Sequence, residues 1–118
     1  MFYNCAALTT FDGDLSSLVN GRAMFAATPL TSFSGDLSSL VDGYNMFMGC
    51  KLNKESVTNI INCLKNSNTC SEAASLKLGI DASLKTDKEL QTLLGKAEGS
   101  TTLTGHGGGT WYIELEWN

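Results

Sequence analysis

The stretch LTTFDGDLSSLV at residues 8–19 returns as LTSFSGDLSSLV at residues 30–41, 22 residues further along the chain. The pair Met-Phe recurs with nearly the same spacing, at Met1-Phe2, Met24-Phe25 and Met46-Phe47. A unit of this length is too short to bury its own apolar face, so such units stack and share one core. Residues 1–52 therefore predict a solenoid, with short strands near residues 8–12 and 30–34.

The apolar positions of one unit are expected to fill the interior of the stack. They are Leu8, Phe11, Leu15, Leu18, Val19 and Phe25. Three residues after each Met-Phe pair comes Cys5, Thr28 or Cys50. Cys5 and Cys50 are two units apart, about 9–10 Å at ~4.8 Å per strand, beyond the ~7 Å reach of a disulfide. We expect both to be buried free thiols.

After Leu52 the pattern changes, and residues 53–118 are predicted as β-α-β-α-β capping units. Asn53 can cap a helix that begins at Lys54, with one apolar stripe formed by Val57, Ile60, Ile61 and Leu64. The alternation in SLKLGI (75–80) predicts a strand.

A second helix is predicted from the capping-box pair Thr86 and Glu89, the stripe Leu90, Leu93, Leu94 and Ala97, and Gly99 at its end. We interpret STTLTGHGGG (100–109) as a loop and WYIELEWN (111–118) as a final capping strand. Strands separated by helices favour parallel pairing, so one parallel sheet is expected to run through the molecule.

Composition and charge describe one globular domain and exclude several classes of protein. The chain has 118 residues, of which 42% are hydrophobic and 17% charged, and its net charge is −4. Without a basic stripe it is not expected to bind nucleic acid. It contains no apolar run near the ~20 residues of a membrane span, and nothing resembling a signal peptide.

The unit resembles the BspA-like leucine-rich repeats, whose hallmark has the form G-x-x-A/M-F-x-x-C. The matching stretches are GRAMFAAT at 21–28, GYNMFMGC at 43–50 and, in part, MFYNC at 1–5. Thr28 stands where the hallmark has Cys. The resemblance covers residues 1–52. From there on, the chain looks like an end module attached to such repeats in surface and phage-associated proteins of gut bacteria.

The resemblance implies an α/β fold: a short leucine-rich-repeat solenoid with a parallel sheet, two C-terminal helices and a final capping strand. It also implies a non-catalytic binding or adhesion module of a bacterial surface or phage-associated protein, with no catalytic residue and no cofactor to carry over. Such a module is extracellular or at the cell surface if it belongs to a longer secreted protein.

Solenoids commonly bind ligands across an extended sheet face. The outward positions expected to line that face are Thr9, Asp12, Thr31, Ser34, Lys77, Tyr112 and Glu114. The ligand would be a protein or a glycan, recognised by shape and hydrogen bonds. The alternative is a plain solvated face.

The N-terminal end gives a second hypothesis. The chain begins inside a repeat, so we expect either a longer native protein or a partner at this end. Phe2 and Leu8 would then form an assembly edge and mediate homo-oligomer formation.

Other residue patterns give weaker support for a catalytic, metal-binding or disulfide function. Cys63 and Cys70 could form a disulfide across a small loop. His106 lies in an HGGG segment like that of some esterases, but the chain lacks a G-x-S-x-G nucleophile. Asp14 and Asp36 suggest turn-stabilising residues rather than calcium ligands, and Glu114 with Glu116 suggests solvated residues rather than a glycosidase pair. No metal site is expected.

Overall fold

The copies of the repeated stretch lie side by side in the structure, a computed structural model that describes residues 5, 7–65, 73–94, 100–104 and 110–118. Strand β1 (Thr10–Phe11) pairs in parallel with β2 (Ser32–Phe33), and each residue faces its copy 22 positions later. Asn20 and Asp42 form a parallel bridge with the same offset. The 22-residue period of the sequence therefore sets the register in which the strands pair.

Both strands are only two residues long, so the predicted bounds of 8–12 and 30–34 are too wide. Tight turns follow each strand, because the Asp14 carboxylate accepts the Ser16 N–H and the Asp36 carboxylate accepts the Ser38 N–H, both at 2.9 Å. These local bonds are those of Asx-turns, which direct the backbone away from the ladder.

The third unit forms a long strand, β3 (Gly43–Leu52), against which the second unit packs. The N–H groups of Ala23, Phe25 and Ala27 donate to the carbonyls of Tyr44, Met46 and Met48 at 2.8–3.0 Å. The two units also share unusual backbone conformations. Ala23 and Asn45, 22 residues apart, have φ of 53° and 56°, and Ala27 and Gly49 have φ of 58° and 81°.

Two sheets organise the described residues, β1–β2 and a four-stranded sheet in the order β3-β4-β6-β5. The added strands are β4 (Ala73–Ile80), β5 (Ser100–Thr104) and β6 (Thr110–Trp117). The β3–β4 and β4–β6 pairs are parallel, whereas β5 and β6 are antiparallel. The protein is thus a mixed α/β globule with parallel sheets and two helices.

This topology corrects three predictions. The single continuous parallel sheet is wrong, because β1–β2 and the four-stranded sheet are separate among the described residues. Residues 100–104 form a strand rather than a loop. The last strand, expected to cap the molecule, lies between β4 and β5 rather than at the end of its sheet. Only five residues, 105–109, separate β5 from β6, and a connection this short permits antiparallel but not parallel pairing.

Helix α1 (Lys54–Lys65) confirms its prediction. The Asn53 side chain accepts the Ser56 N–H at 2.9 Å, and the predicted apolar stripe is fully buried. Helix α2 (Lys88–Leu94) begins one residue later than its capping-box pattern indicates. Its cap is Asp87, whose carboxylate accepts the Leu90 N–H at 3.0 Å, while Thr86 is exposed. Ala97 and Gly99 lie outside the described residues.

Four phenylalanines form the centre of the repeat core. Phe11 and Phe33 stack with centroids 5.8 Å apart, Phe25 and Phe47 stack at 5.6 Å, and edge-to-face contacts join the two pairs. Each stacked pair joins copies of the same position.

Of the predicted interior residues, Leu15 and Phe25 are buried and Leu8, Phe11 and Leu18 are partly buried. Val19 is 53% exposed, so its assignment is wrong. The Val41 N–H donates to the Val19 carbonyl at 2.8 Å, while the Val19 side chain faces solvent.

Candidate binding site

The exposed face of the four-stranded sheet carries a pocket of about 220 Å³. It is lined by Tyr44 and Asn45 from β3, by Ser75, Leu76 and Lys77 from β4, and by Tyr112 and Glu114 from β6. Alternation along the strands produces this face. Leu76 and Ile113 turn into the core, so their sequence neighbours turn toward solvent.

Two tyrosines flank the pocket. Tyr44 is 50% exposed and Tyr112 is 51% exposed, and they belong to the strands on either side of β4. Ser75, which pairs directly with Tyr112, has a small side chain and also lines the pocket. Strands in a sheet are ~4.8 Å apart, so the two tyrosine-bearing strands are separated by about 9.6 Å.

A bulge in β3 sets the position of Tyr44. The register between β3 and β4 shifts between Gly43 and Phe47, and Asn45, inside this interval, has φ of 56°. Asn tolerates this left-handed conformation better than other non-glycine residues, and bulges commonly redirect side chains beside functional sites. The Arg22 guanidinium lies 5.1 Å from the centroid of the Tyr44 ring and 3.7 Å from the Asp42 carboxylate.

Lys77 provides the positive charge of the pocket. Its ammonium lies 3.8 Å from the Glu114 carboxylate and 3.4 Å from the Glu116 carboxylate. Its side chain is 22% exposed, whereas that of Glu114 is 62% exposed. One cation therefore faces two carboxylates, and Glu114 presents its oxygens to solvent at the rim.

Glu116, on β6, is held by groups from β3, β4 and Asn118. One carboxylate oxygen accepts the Gly49 N–H and the Asn118 side-chain amide, each at 2.7 Å, and the other faces Lys77. Burial alone would raise the pKa of Glu116, but the bonds from Asn118, Gly49 and Lys77 outweigh it and hold the pKa below its usual value. Glu116 is therefore ionised and neutralises Lys77.

Gly79, on β4, allows the Glu116 carboxylate on β6 to contact Gly49 on β3. Gly79 pairs with Glu116, and a Cβ at position 79 would lie 2.5 Å from the backbone nitrogen and oxygen of Cys50. The bulged end of β3 thus lies against a strand position that carries no side chain. The Asn118 amide also donates to the Cys50 carbonyl at 2.8 Å.

The structure brings together three of the predicted ligand-binding residues, Lys77, Tyr112 and Glu114. The other four belong to the β1–β2 repeats. Thr9, Asp12, Thr31 and Ser34 are exposed, and the N–H and hydroxyl of Thr31 both donate to the Thr9 carbonyl. Because the two groups lie on separate sheets, the single continuous face is a wrong prediction.

Sequence reasoning missed Tyr44, Asn45 and Ser75. Tyr44 and Asn45 lie in GYNMFMGC, a stretch that matches the repeat hallmark and gives no sign of a pocket. The available signal was the position of Asn45, since Asn often occupies left-handed backbone positions. Ser75 was part of a predicted strand, but its neighbours across the sheet depend on strand order.

The repeat position that holds Cys5, Thr28 or Cys50 in successive units is a packing feature. The Thr28 hydroxyl donates to the Phe25 carbonyl at 2.8 Å and lies 3.5 Å from the Cys50 sulfur. Burial raises the pKa of the Cys50 thiol to about 11, so this cysteine is an unreactive neutral thiol. Cys5 is exposed, which contradicts its predicted burial. It belongs to the first unit, whereas Thr28 and Cys50 lie deeper in the stack.

The remaining candidates are the Cys63–Cys70 disulfide, His106 and Phe2. Cys70 lies outside the described residues, so the Cys63–Cys70 disulfide stays a prediction. His106 and Phe2 also lie outside them. Within the described part of the chain, no group of three His, Cys, Asp or Glu side chains could hold a metal ion.

Comparison with known proteins adds no relative, since no family model, no curated protein and no solved structure matches the chain. Neither of the helices in the described ranges is long and apolar enough to cross a membrane.

Proposed function

We propose that this chain is a non-catalytic binding module, built from BspA-like leucine-rich repeats, of a bacterial surface or phage-associated protein. Its ligand is a protein or a glycan, and its binding site is the pocket between Tyr44 and Tyr112. The proposal places the module outside the cell or at the cell surface.

The observation that carries this proposal is a pair of half-exposed tyrosines on either side of a concave, partly polar site. Aromatic residues supply large contact areas with few rotatable bonds, and binding sites are enriched in them. Lys77 and Glu114 add one donor and one acceptor at fixed positions, which orient a ligand. Binding then depends on shape and hydrogen bonds and needs no bond to be broken.

Capture from glycan and protein arrays tests this function. The wild type should bind a defined subset of spots, and Tyr112→Ala should lose that signal. Val19→Ala is a matched control, because Val19 is also a half-exposed apolar residue but lies outside the pocket. Ser34→Ala examines the β1–β2 face. A signal that survives Tyr112→Ala and disappears in Ser34→Ala would move the site to the repeats and refute the assignment to the pocket.

Assembly through the N-terminal repeat is a second candidate function. In the described part of the chain, β1 pairs with β2 alone, and Leu8 is only partly buried beside it. Outer strands of this kind favour pairing with a further strand. Light scattering over a concentration series tests the candidate: a dimer that Leu8→Asp dissociates would support it, and a monomer at all concentrations would eliminate it.

A further inference from the structure

We infer that the Tyr44–Tyr112 pocket takes one neutral pyranose ring of a glycan. The inference rests on the proposed function and specifies its ligand class. It is drawn from three properties of the pocket: its size, its charges and the fixed positions of its side chains.

Size restricts the ligand to a single ring. A volume of about 220 Å³ is below the ~300–1,000 Å³ of pockets that hold drug-sized ligands. The strands that carry Tyr44 and Tyr112 are about 9.6 Å apart, and a van der Waals contact takes about 3.5–4.0 Å on each side. The strand separation leaves room for one ring of ordinary thickness and not for two. The C–H faces of a pyranose suit such contacts, because aromatic faces carry partial negative charge.

The charges favour a neutral ligand. A carboxylate or sulfate would approach the exposed carboxylate of Glu114 on a protein of net charge −4. An ammonium group would compete with the Lys77 ammonium, which already lies 3.8 Å from the Glu114 carboxylate. Neighbouring hydroxyl groups avoid both conflicts, because each hydroxyl donates one hydrogen bond and accepts others. One hydroxyl can accept from Lys77 while its neighbour donates to Glu114, and bonds to charged partners are the stronger kind.

The same charges disfavour an apolar protein side chain as the occupant. An inserted leucine or phenylalanine would take water away from Lys77 and Glu114 without bonding to either, and removing charged groups from water weakens binding. Asn45 and Ser75 add further polar groups to the pocket lining. A sugar hydroxyl is therefore favoured over an apolar protein side chain as the group that enters the pocket.

The pocket is also held in place before any ligand arrives. Arg22 contacts the Tyr44 ring, Asp42 accepts the Tyr44 N–H at 3.1 Å, and Lys77 lies between two carboxylates. Fixed side chains lose little conformational entropy on binding, which favours recognition of a small rigid ring.

Titration of the isotope-labelled full chain, followed by amide NMR shifts, tests the inference. The probes are the methyl pyranosides of glucose, galactose, mannose and N-acetylglucosamine, with methyl glucuronoside and methyl glucosaminide as charged counterparts. At least one neutral probe should shift the amides of Tyr44, Ser75, Lys77 and Tyr112. Tyr112→Ala should weaken binding about five- to tenfold. Tyr112→Phe should retain most of it, and Val19→Ala should change nothing.

Three outcomes would overturn the inference. The neutral probes could leave the pocket amides unshifted, a charged counterpart could bind more tightly than every neutral probe, or the Tyr112-dependent array ligand could be a protein. In the last case the proposed function stands and only the sugar assignment fails. Array binding that is indifferent to Tyr112→Ala would instead remove the proposed site itself. Because Tyr112 is half-exposed, the variants should keep the wild-type amide spectrum elsewhere, which verifies that they fold.

Discussion

Exchanging Ala27 and Gly49 one at a time should change stability in opposite directions, although both residues occupy the same place in their repeats. Both have left-handed backbone conformations, with φ of 58° and 81°. An L-residue in this region costs about 1–2 kcal/mol, a cost that glycine does not carry. Glycine in turn lowers stability by about 0.4–1 kcal/mol through its freedom in the unfolded chain.

The net effect of each change is about 0.8 kcal/mol. Ala27→Gly should stabilise the protein by this amount, since Ala27 is exposed and its methyl group contributes little burial. Gly49→Ala should destabilise it by a similar amount. The added Cβ would meet the Ala27 backbone at 3.4 Å, an ordinary contact without steric conflict. For a chain of this length, the midpoint of thermal unfolding should shift by about 3 °C in each direction.

Urea unfolding of the wild type and the two variants measures these free energies directly. The dependence on urea concentration should be the same for all three proteins, because none of the changes alters the surface exposed on unfolding. Two changes of the same sign would refute the reasoning. So would a loss of stability in Ala27→Gly, because that residue would then not be in a strained conformation.

The other predictions concern the β3–β4 contact, the carboxylate beside Lys77 and the core. Gly79→Ala should cost about 3 kcal/mol or more in urea unfolding, because its Cβ would collide with the Cys50 backbone; an effect below 1 kcal/mol would contradict the close approach of the strands. In the folded protein the pKa of Glu116 lies below its ordinary value of 4.5. Its ionised carboxylate therefore contributes to the free energy of unfolding above pH 4.5, and this contribution is lost as the pH falls through the pKa of the folded state. The stability difference between wild type and Glu116→Gln should therefore be larger at pH 7 than at pH 3, with Glu114→Gln as the control on the same strand. Phe33→Ala should cost about 3–5 kcal/mol, measured by the same unfolding, because the ring is 1% exposed and contacts three other phenylalanines; a cost like that of Val19→Ala would place it outside the core.

Much of the fold was predictable because its signals are local or periodic. The 22-residue repeat became a strand register, since stacking carries each residue of one unit onto its copy in the next. The stripe of α1 and the alternation of β4 and β6 are likewise properties of single segments. Helix α2 was predicted with its cap one residue early, because Thr86 and Asp87 are both good caps and the preceding turn selects between them.

The pocket was only half predictable, because it depends on contacts between segments that are distant in sequence. Lys77, Tyr112 and Glu114 follow from alternation within their strands. Tyr44 joins them only through a bulge at Asn45 and through the pairing of β3 with β4. The β5 strand was missed for a similar reason: its threonine-rich sequence becomes a strand by pairing with β6, and the short connection fixes that pairing as antiparallel.

The 22-residue register also means that the chain can change length in whole units. The pocket draws its lining from β3, β4 and β6, whereas the first unit contacts the second through β1 and β2. An extra copy inserted ahead of Gly21 would lengthen the stack by about 4.8 Å, one strand spacing, and leave every pocket residue with its present neighbours. The number of such units thus changes the distance between the pocket and the first unit, without altering the residues that line the pocket.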